Sequence, residues 1–396
     1  MHSASNFQGV KVAIKWLYEE SGTVDRLATR VADWEASDDV QSILVLGCAG
    51  DGWTPAAIDP LLTGAGKPIW GGLFPRIICY GQHHEHGFIM LGLPNEPDGL
   101  VIPQLSSATT DFAAALTPVA DRWTSGETDA GMTDTATFMI LVDGLSRRIG
   151  DLVEQLFMQL GLRHHFFGGG AGSLNQSGAP CLLTPGGMLA DAALVVRLPL
   201  ASGVGVAHGW SPISDSFRVT ESRHNIIHTL DWSPAAEIYH AQVQAHSGHQ
   251  VERASFADWA KAYPFGINKW DSEEVVRDPI AETADGGLVC VGDVPKGSFV
   301  RIMTGSPTAL IAAAGQARQR AEQSHPSPVS PPAVALLMDC ISRALFLESR
   351  FTDELHAAAG PQDLMGAATL GEIASSGSDY LEFFNKTAVV TYLYPC

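Results

Sequence analysis

Two short runs without a polar residue, Phe138 to Val142 and Ala335 to Met338, give way to the same polar turn and then to helical spacing. The turn reads Asp143-Gly144-Leu145-Ser146-Arg147 in one case and Asp339-Cys340-Ile341-Ser342-Arg343 in the other, an Asp-x-[Leu/Ile]-Ser-Arg pattern at a strand-to-helix junction. After each comes a glycine-bearing apolar stretch, Phe166 to Gly172 and Met365 to Gly371, and then a strand, Ala192 to Leu198 and Ala388 to Leu393. A degenerate third copy lies at Ile43 to Cys48, where a strand-like run ends in small residues ahead of a helix-like segment from Pro55. Cys48 and Cys340 then take related strand ends. The pattern predicts an α/β fold of two related domains, each a largely antiparallel sheet flanked by helices, packed with pseudo-twofold symmetry.

Between these landmarks the apolar spacing predicts strands over Val10 to Leu17, Pro68 to Leu73, Ile77 to Tyr80, His86 to Leu93 and Gly203 to Ala207. Helices are expected over Thr23 to Trp34, Phe112 to Trp123, Ser146 to Leu160 and Leu310 to Ala321, and a solvated loop over Ser125 to Thr135. The polar, histidine-rich stretch around Val243 to Ala254 reads as a linker, which divides the chain into residues 1–245, a linker at 246–259 and residues 260–396. Ser324 to Pro332 is a proline-rich connector.

A chain of 396 residues, 45% hydrophobic and 17% charged, has the material for well-buried cores in two or three domains. Its net charge of −19, with no long basic run, argues against nucleic acid as a partner. No basic-then-apolar leader and no apolar segment of about 18 residues is present, so a cytoplasmic protein without a membrane span is expected. The six cysteines form no Cys-x-x-Cys pair and signal neither a disulfide framework nor structural zinc. Gly168 to Asn175 invites reading as a phosphate cradle, but Gln176 to Pro180 breaks the helix such a cradle needs. The glycines are read instead as places of close backbone approach.

Several motifs resemble one family. Gly203 to Pro212, Val219-Thr220-Glu221 and Leu230 to Ala235 resemble the N-terminal half of the FIST sensory family. Val276-Arg277-Asp278-Pro279, Cys340 with Arg343, Gly371-Glu372-Ile373 and Asn385-Lys386-Thr387 resemble its C-terminal half. The resemblance covers nearly the whole chain and implies a FIST N-type and a FIST C-type domain. Tyr263 to Ile267, Asp339 to Arg343 and Gly371 to Ala374 are similar to the NosP subgroup. That similarity implies a sensor without catalytic turnover that binds haem b and nitric oxide and modulates a partner histidine kinase. The oligomeric state, a homo-oligomer included, stays open.

For haem, His208 is the first candidate axial ligand, because it ends an apolar strand and is followed by Gly209 and Trp210, whose ring can stack on a porphyrin. A structural histidine is the alternative, and His246 and His165 are the reserves. Arg277, Cys340, Arg343, Glu372 and Asn385 form a candidate ligand pocket; without haem, that pocket reads as a site for a metabolite such as an amino acid. Cys340 reads either as an activated thiolate or as a small buried residue at a turn. Arg147 and Arg343 pair with the preceding aspartates or bind a carboxylate or propionate. His84 and His86 alternate about Glu85 and, on a strand, face one side, though no third metal ligand lies nearby.

Overall fold

The computed structural model describes residues 14–124, 135–176, 178–250, 256–269, 273–324 and 332–394. The loop read at 125–135 and the connector read at 324–332 fall almost wholly outside these residues.

The described chain builds one unit three times. The first comprises β1 (Lys15–Glu19), α1 (Val24–Glu35), β2 (Ser42–Cys48), α2 (Pro55–Gly64), β3 (Ile69–Phe74), the hairpin β4 (Arg76–Cys79) and β5 (Gln82–His84), and β6 (Phe88–Leu93). The second repeats the order with β7 (Asp98–Pro103), α3 (Phe112–Thr124), β8 (Thr137–Asp143), α4 (Ile149–Leu160), β9 (His165–Ala171), the hairpin β10 (Leu182–Thr184) and β11 (Gly187–Leu189), and β12 (Ala192–Leu198). The third opens with β13 (Ala201–Ala207) and is then interrupted. The insertion holds β14 (Ser211–Pro212), β15 (Phe217–Arg223), β16 (Ile226–Leu230), β17 (Ser233–Pro234), α5 (Ala235–Ser247) and α6 (Phe256–Ala260). It continues with β18 (Phe265–Ile267), β19 (Val275–Arg277), β20 (Pro279–Glu282), β21 (Leu288–Cys290) and β22 (Phe299–Thr304). The third unit resumes with α7 (Pro307–Ser324), β23 (Val334–Cys340), α8 (Ile341–Leu347), α9 (Phe351–Ala359), β24 (Leu364–Thr369), the hairpin β25 (Glu372–Ser375) and β26 (Glu382–Phe384), and β27 (Ala388–Tyr394).

In each unit the two strands joined by the helical crossover are parallel, and all other ladders are antiparallel. The register repeats too: Gly71 lies opposite Val45, Gly168 opposite Ile140 and Gly366 opposite Leu337. A Cβ at these glycines would fall 1.9, 1.8 and 1.8 Å from the facing carbonyl oxygens, so only hydrogen fits. The glycine stretches therefore serve close backbone approach, as read from the sequence.

The hairpins are exchanged in a ring. β4 of the first unit pairs with β24 of the third, β25 of the third with β9 of the second, and β10 of the second with β3 of the first. Three six-stranded sheets result. The expected mixed α/β architecture stands, and the third copy at Ile43 to Cys48 is the first unit; the pseudo-twofold gives way to a cyclic threefold.

Alternate residues of the central strands serve two cores. Met139, Leu141, Leu336 and Met338 join a common interior with β2. Phe138, Ile140 and Val142 pack under α3 and α4, while Ala335 and Leu337 pack under α7, α8 and α9. Burial on both faces is why these strands read as unbroken apolar runs.

The register also corrects the motif alignment. Three residues beyond Val45, Ile140 and Leu337 stand Cys48, Asp143 and Cys340, so Asp143 matches Cys340 and Asp339 matches Val142. Cys48 and Cys340 do hold related strand ends. Residues 144–148 intervene before α4, whereas α8 begins directly at Ile341; Arg147 is consequently exposed and Arg343 wholly buried. The two arginines are not equivalent.

The insertion forms a nine-stranded sheet in which β15 and β16 pair with β22 and β21. Strands from both sides of residues 246–259 thus share this sheet, and β13 pairs along its whole length with β27.

Candidate functional site

Where β23 ends, α8 starts and the β26–β27 connection passes, the third unit buries a dense group of polar side chains. Arg343 is its hub. Its Nε lies 2.9 Å from Glu354 Oε1 and 3.2 Å from Asp339 Oδ1. Nη1 donates to the carbonyls of His208 at 2.6 Å and Lys386 at 3.0 Å; Nη2 donates to Leu310 O at 3.0 Å and also meets Glu354. A guanidinium has five N–H groups, and all are committed within the chain.

Around the hub, burial raises the carboxyls. Glu372 is pushed up to about 8 by desolvation; its oxygens accept from the Thr369 hydroxyl at 2.8 Å and the Thr387 amide at 3.3 Å. Asp339 is held well above the usual carboxylate range by burial and by Glu354, against the opposing pull of Arg343, whose Nε lies 3.2 Å from Oδ1. Burial, with Glu372 adding to it, pushes the Cys340 thiol up to about 12; its Sγ lies 3.0 Å from Ser342 Oγ. A thiol that keeps its proton is a turn residue rather than a nucleophile at neutral pH. The other described cysteines are free and buried as well.

The predicted pocket residues meet only in part. Cys340, Arg343 and Glu372 share the buried group. Asn385 adjoins it, its Nδ2 on the Phe384 carbonyl and its Oδ1 without a donor. Arg277 instead grips the β26 hairpin, donating to Phe383 O at 2.8 Å and Asp293 O at 3.0 Å. Lys386, part of the Asn385-Lys386-Thr387 motif but not among the candidate pocket residues, is wholly buried, 3.1 Å from Asp278 and 5.2 Å from the Trp210 ring centre.

His208 is buried, and desolvation lowers it to about 4, so the imidazole is neutral. Its Nδ1 accepts from the Trp210 amide at 2.9 Å. An iron-ligating imidazole donates that second nitrogen's proton outward; here the acceptor role of Nδ1 leaves the proton on Nε2, the atom that would meet the metal. Trp210 packs against Phe346 and under Lys386, with Nε1 on the Lys386 carbonyl. The pair therefore does not fit the axial ligand and stacking face expected for haem b.

Among the reserves, His246 is exposed with Nδ1 3.2 Å from the Tyr263 hydroxyl. His165 is buried with Nδ1 2.7 Å from Ser202 O. His84 stacks on Tyr18, whereas His86 lies beyond β5 with Nδ1 2.9 Å from Asp51; the two do not converge. Among the described residues no group of three or more His, Cys, Asp or Glu is placed to hold a metal.

An open cleft of about 590 Å³ lies along β13. Its walls come from Val204 to Val206, the last turns of α7 with Arg320 and Ser324, the β25–β26 turn with Asp379 and Tyr380, and Glu273. Gly203 and Gly205 let α7 rest on the strand: a Cβ there would fall 2.1 Å from Ala321 O and 2.0 Å from Ala317 O. Glu273 connects cleft and interior. It pairs with Arg320, which also donates to Val206 O, and its Oε1 accepts from the His208 amide at 3.2 Å.

Residues 40–233 match the FIST N domain model and residues 235–375 the FIST C domain model. The chain belongs to the FIST family. Among curated proteins none matches it. FIST domains are sensory domains, and in the FIST chain the cleft has walls from both matched regions, β13 from the N match and Glu273 and α7 from the C match, while its wall at 376–384 lies beyond the matched residues. Among the described residues no helix is long and apolar enough to cross a membrane.

Proposed function

We propose that this FIST protein senses a small polar metabolite bearing an ammonium group in the cleft beside β13. One observation carries the reading: Glu273 stands in the cleft wall and binds both Arg320 and the His208 backbone, while the His208 carbonyl rests on Arg343. A ligand ammonium competes with Arg320 for Glu273. Its binding is thereby felt by His208 and the buried group behind it, without a ligand entering that group. Such a sensor signals only if its partner distinguishes the two states.

Thermal unfolding with a panel of amino acids and simple amines tests the reading. A ligand that binds the folded state raises Tm with concentration, and Glu273→Gln abolishes the rise. A rise that is unchanged in Glu273→Gln, or no rise with any member of the panel, overturns it.

The similarity to the NosP subgroup offers a second reading, in which haem b and nitric oxide are sensed and a histidine kinase is the partner. His165 favours it over His208, since Nδ1 donating to Ser202 O has the polarity of a metal-bound imidazole. A Soret band that survives gel filtration after haem supplementation and is altered in His165→Ala supports this reading; colourless protein dismisses it.

A further inference from the structure

The outer edge of β13 is satisfied by side chains where a further strand would otherwise lie. Val204 shows the direction: its amide donates to Ser324 Oγ at 2.7 Å and its carbonyl accepts from the same hydroxyl at 3.0 Å, so its backbone faces away from β27. Residues two apart on a strand face the same way. Accordingly Ser202 O accepts from His165, Val206 O from Arg320 and His208 O from Arg343, while the His208 amide reaches Glu273. The Val206 amide shares this direction and has no acceptor among the described residues. It lines the cleft.

We propose that the cleft takes a short extended peptide with a free amino terminus, which adds to β13 as an outer strand. The inference rests on the reading of this cleft as the ligand site and names the ligand's class. Strand addition supplies the main-chain bonds: a peptide carbonyl accepts from the Val206 amide, and displacing Ser324 opens the Val204 amide and carbonyl. Charge selects the amino end. Glu273, Asp379 and Glu382 line the cleft against Arg320, and with Lys269 paired to Glu382 one surplus negative charge remains, among the described residues, to receive an ammonium. A volume of about 590 Å³ is within the range of small-ligand sites, roughly 300–1,000 Å³.

Calorimetry on the intact protein decides it, with trialanine, trialanine N-methylated at both amides, N-acetyl-trialanine and free alanine as probes. Trialanine is expected to bind, with N-methylation and N-acetylation each weakening it at least about tenfold, the loss of roughly 1.4 kcal/mol. Ser324→Ala, checked for folding by circular dichroism, is expected to bind trialanine several-fold tighter because the edge is uncovered. If trialanine and its N-methylated form bind alike, strand addition is wrong. If alanine binds in a Glu273-dependent manner while trialanine does not, the peptide inference falls and the metabolite reading survives. If no probe and no amine binds, both fall together.

Discussion

Val142 and Asp339 occupy the same place in two copies of one unit, each two residues beyond the strand position that faces the clashing glycine. One is an apolar residue under α4; the other is a wholly buried carboxyl under α8 and α9. Because burial pushes the Asp339 carboxyl well above the usual carboxylate range, replacing it by the apolar residue its counterpart carries removes little. Asp339→Val is expected to change stability by less than about 1.5 kcal/mol, with urea unfolding as the measurement. A larger loss would mean that Asp339 is the ionised partner of Arg343.

Glu354 is that partner. Truncating one member of a buried, hydrogen-bonded ion pair leaves the other charge without compensation, at a cost of about 3–5 kcal/mol. Arg343→Met is expected in that range, and Arg343→Met combined with Glu354→Met is expected to be less destabilised than Arg343→Met alone. Equal losses in the single and double variants would show that the carbonyl contacts of Arg343, not the ion pair, hold the site.

The raised Glu372 gives the protein a defined dependence on alkali. Its carboxyl ordinarily titrates at 4.5 but at about 8 in the fold, so between those values the folded chain keeps a proton that the unfolded chain releases. Stability from this group is complete below 4.5 and is lost as pH rises through about 8. In Glu372→Gln, the fall in urea midpoint from about pH 5 to about pH 8 should be shallower by up to one proton. An identical slope in both proteins would refute the assignment.

The three register glycines should be intolerant of any side chain. Gly168→Ala puts a carbon 1.8 Å from the Ile140 carbonyl, against backbone that cannot swing aside. Loss of soluble protein, or a Tm drop well beyond the effect of Gly161→Ala, is expected; Gly161 has positive φ but nothing near its Cβ position. Matching drops in the two variants would mean that backbone conformation, not the close approach, is what Gly168 supplies.

The elements themselves were legible, because strands buried on both faces read as apolar runs and helices such as α1 carry their apolar residues on one face. The threefold was legible only in the degenerate copy at Ile43 to Cys48. Its first copy lacks the Asp-x-[Leu/Ile]-Ser-Arg turn, and the hairpins that link the units pair with strands far away in sequence. The turn motif itself misled by one residue, since the identical letters Arg147 and Arg343 stand at different distances from matching strand ends, four residues past Asp143 and three past Cys340. For the site, the family motifs did lead to Arg343, Glu372 and Cys340. They did not lead to the cleft, whose walls come from residues 204–206, 273, 320–324 and 376–384. One signal for it was present: glycines alternating at 203 and 205, with Ala313, Ala317 and Ala321 four apart on α7, announce a helix lying directly on a strand.

The ring of hairpins sets a timetable for the growing chain. Residues 76–79 are made long before the strand they join, which runs from 364 to 369. During synthesis the first unit therefore carries a hairpin with no sheet to enter until the last unit emerges, and β3 waits likewise for residues 182–184. Closing the ring brings together segments at opposite ends of the sequence, the kind of pairing that folds slowly. The ring cannot close before residues 364–375 have been made, and a piece of the chain that lacks them leaves both β4 and β9 without their partners.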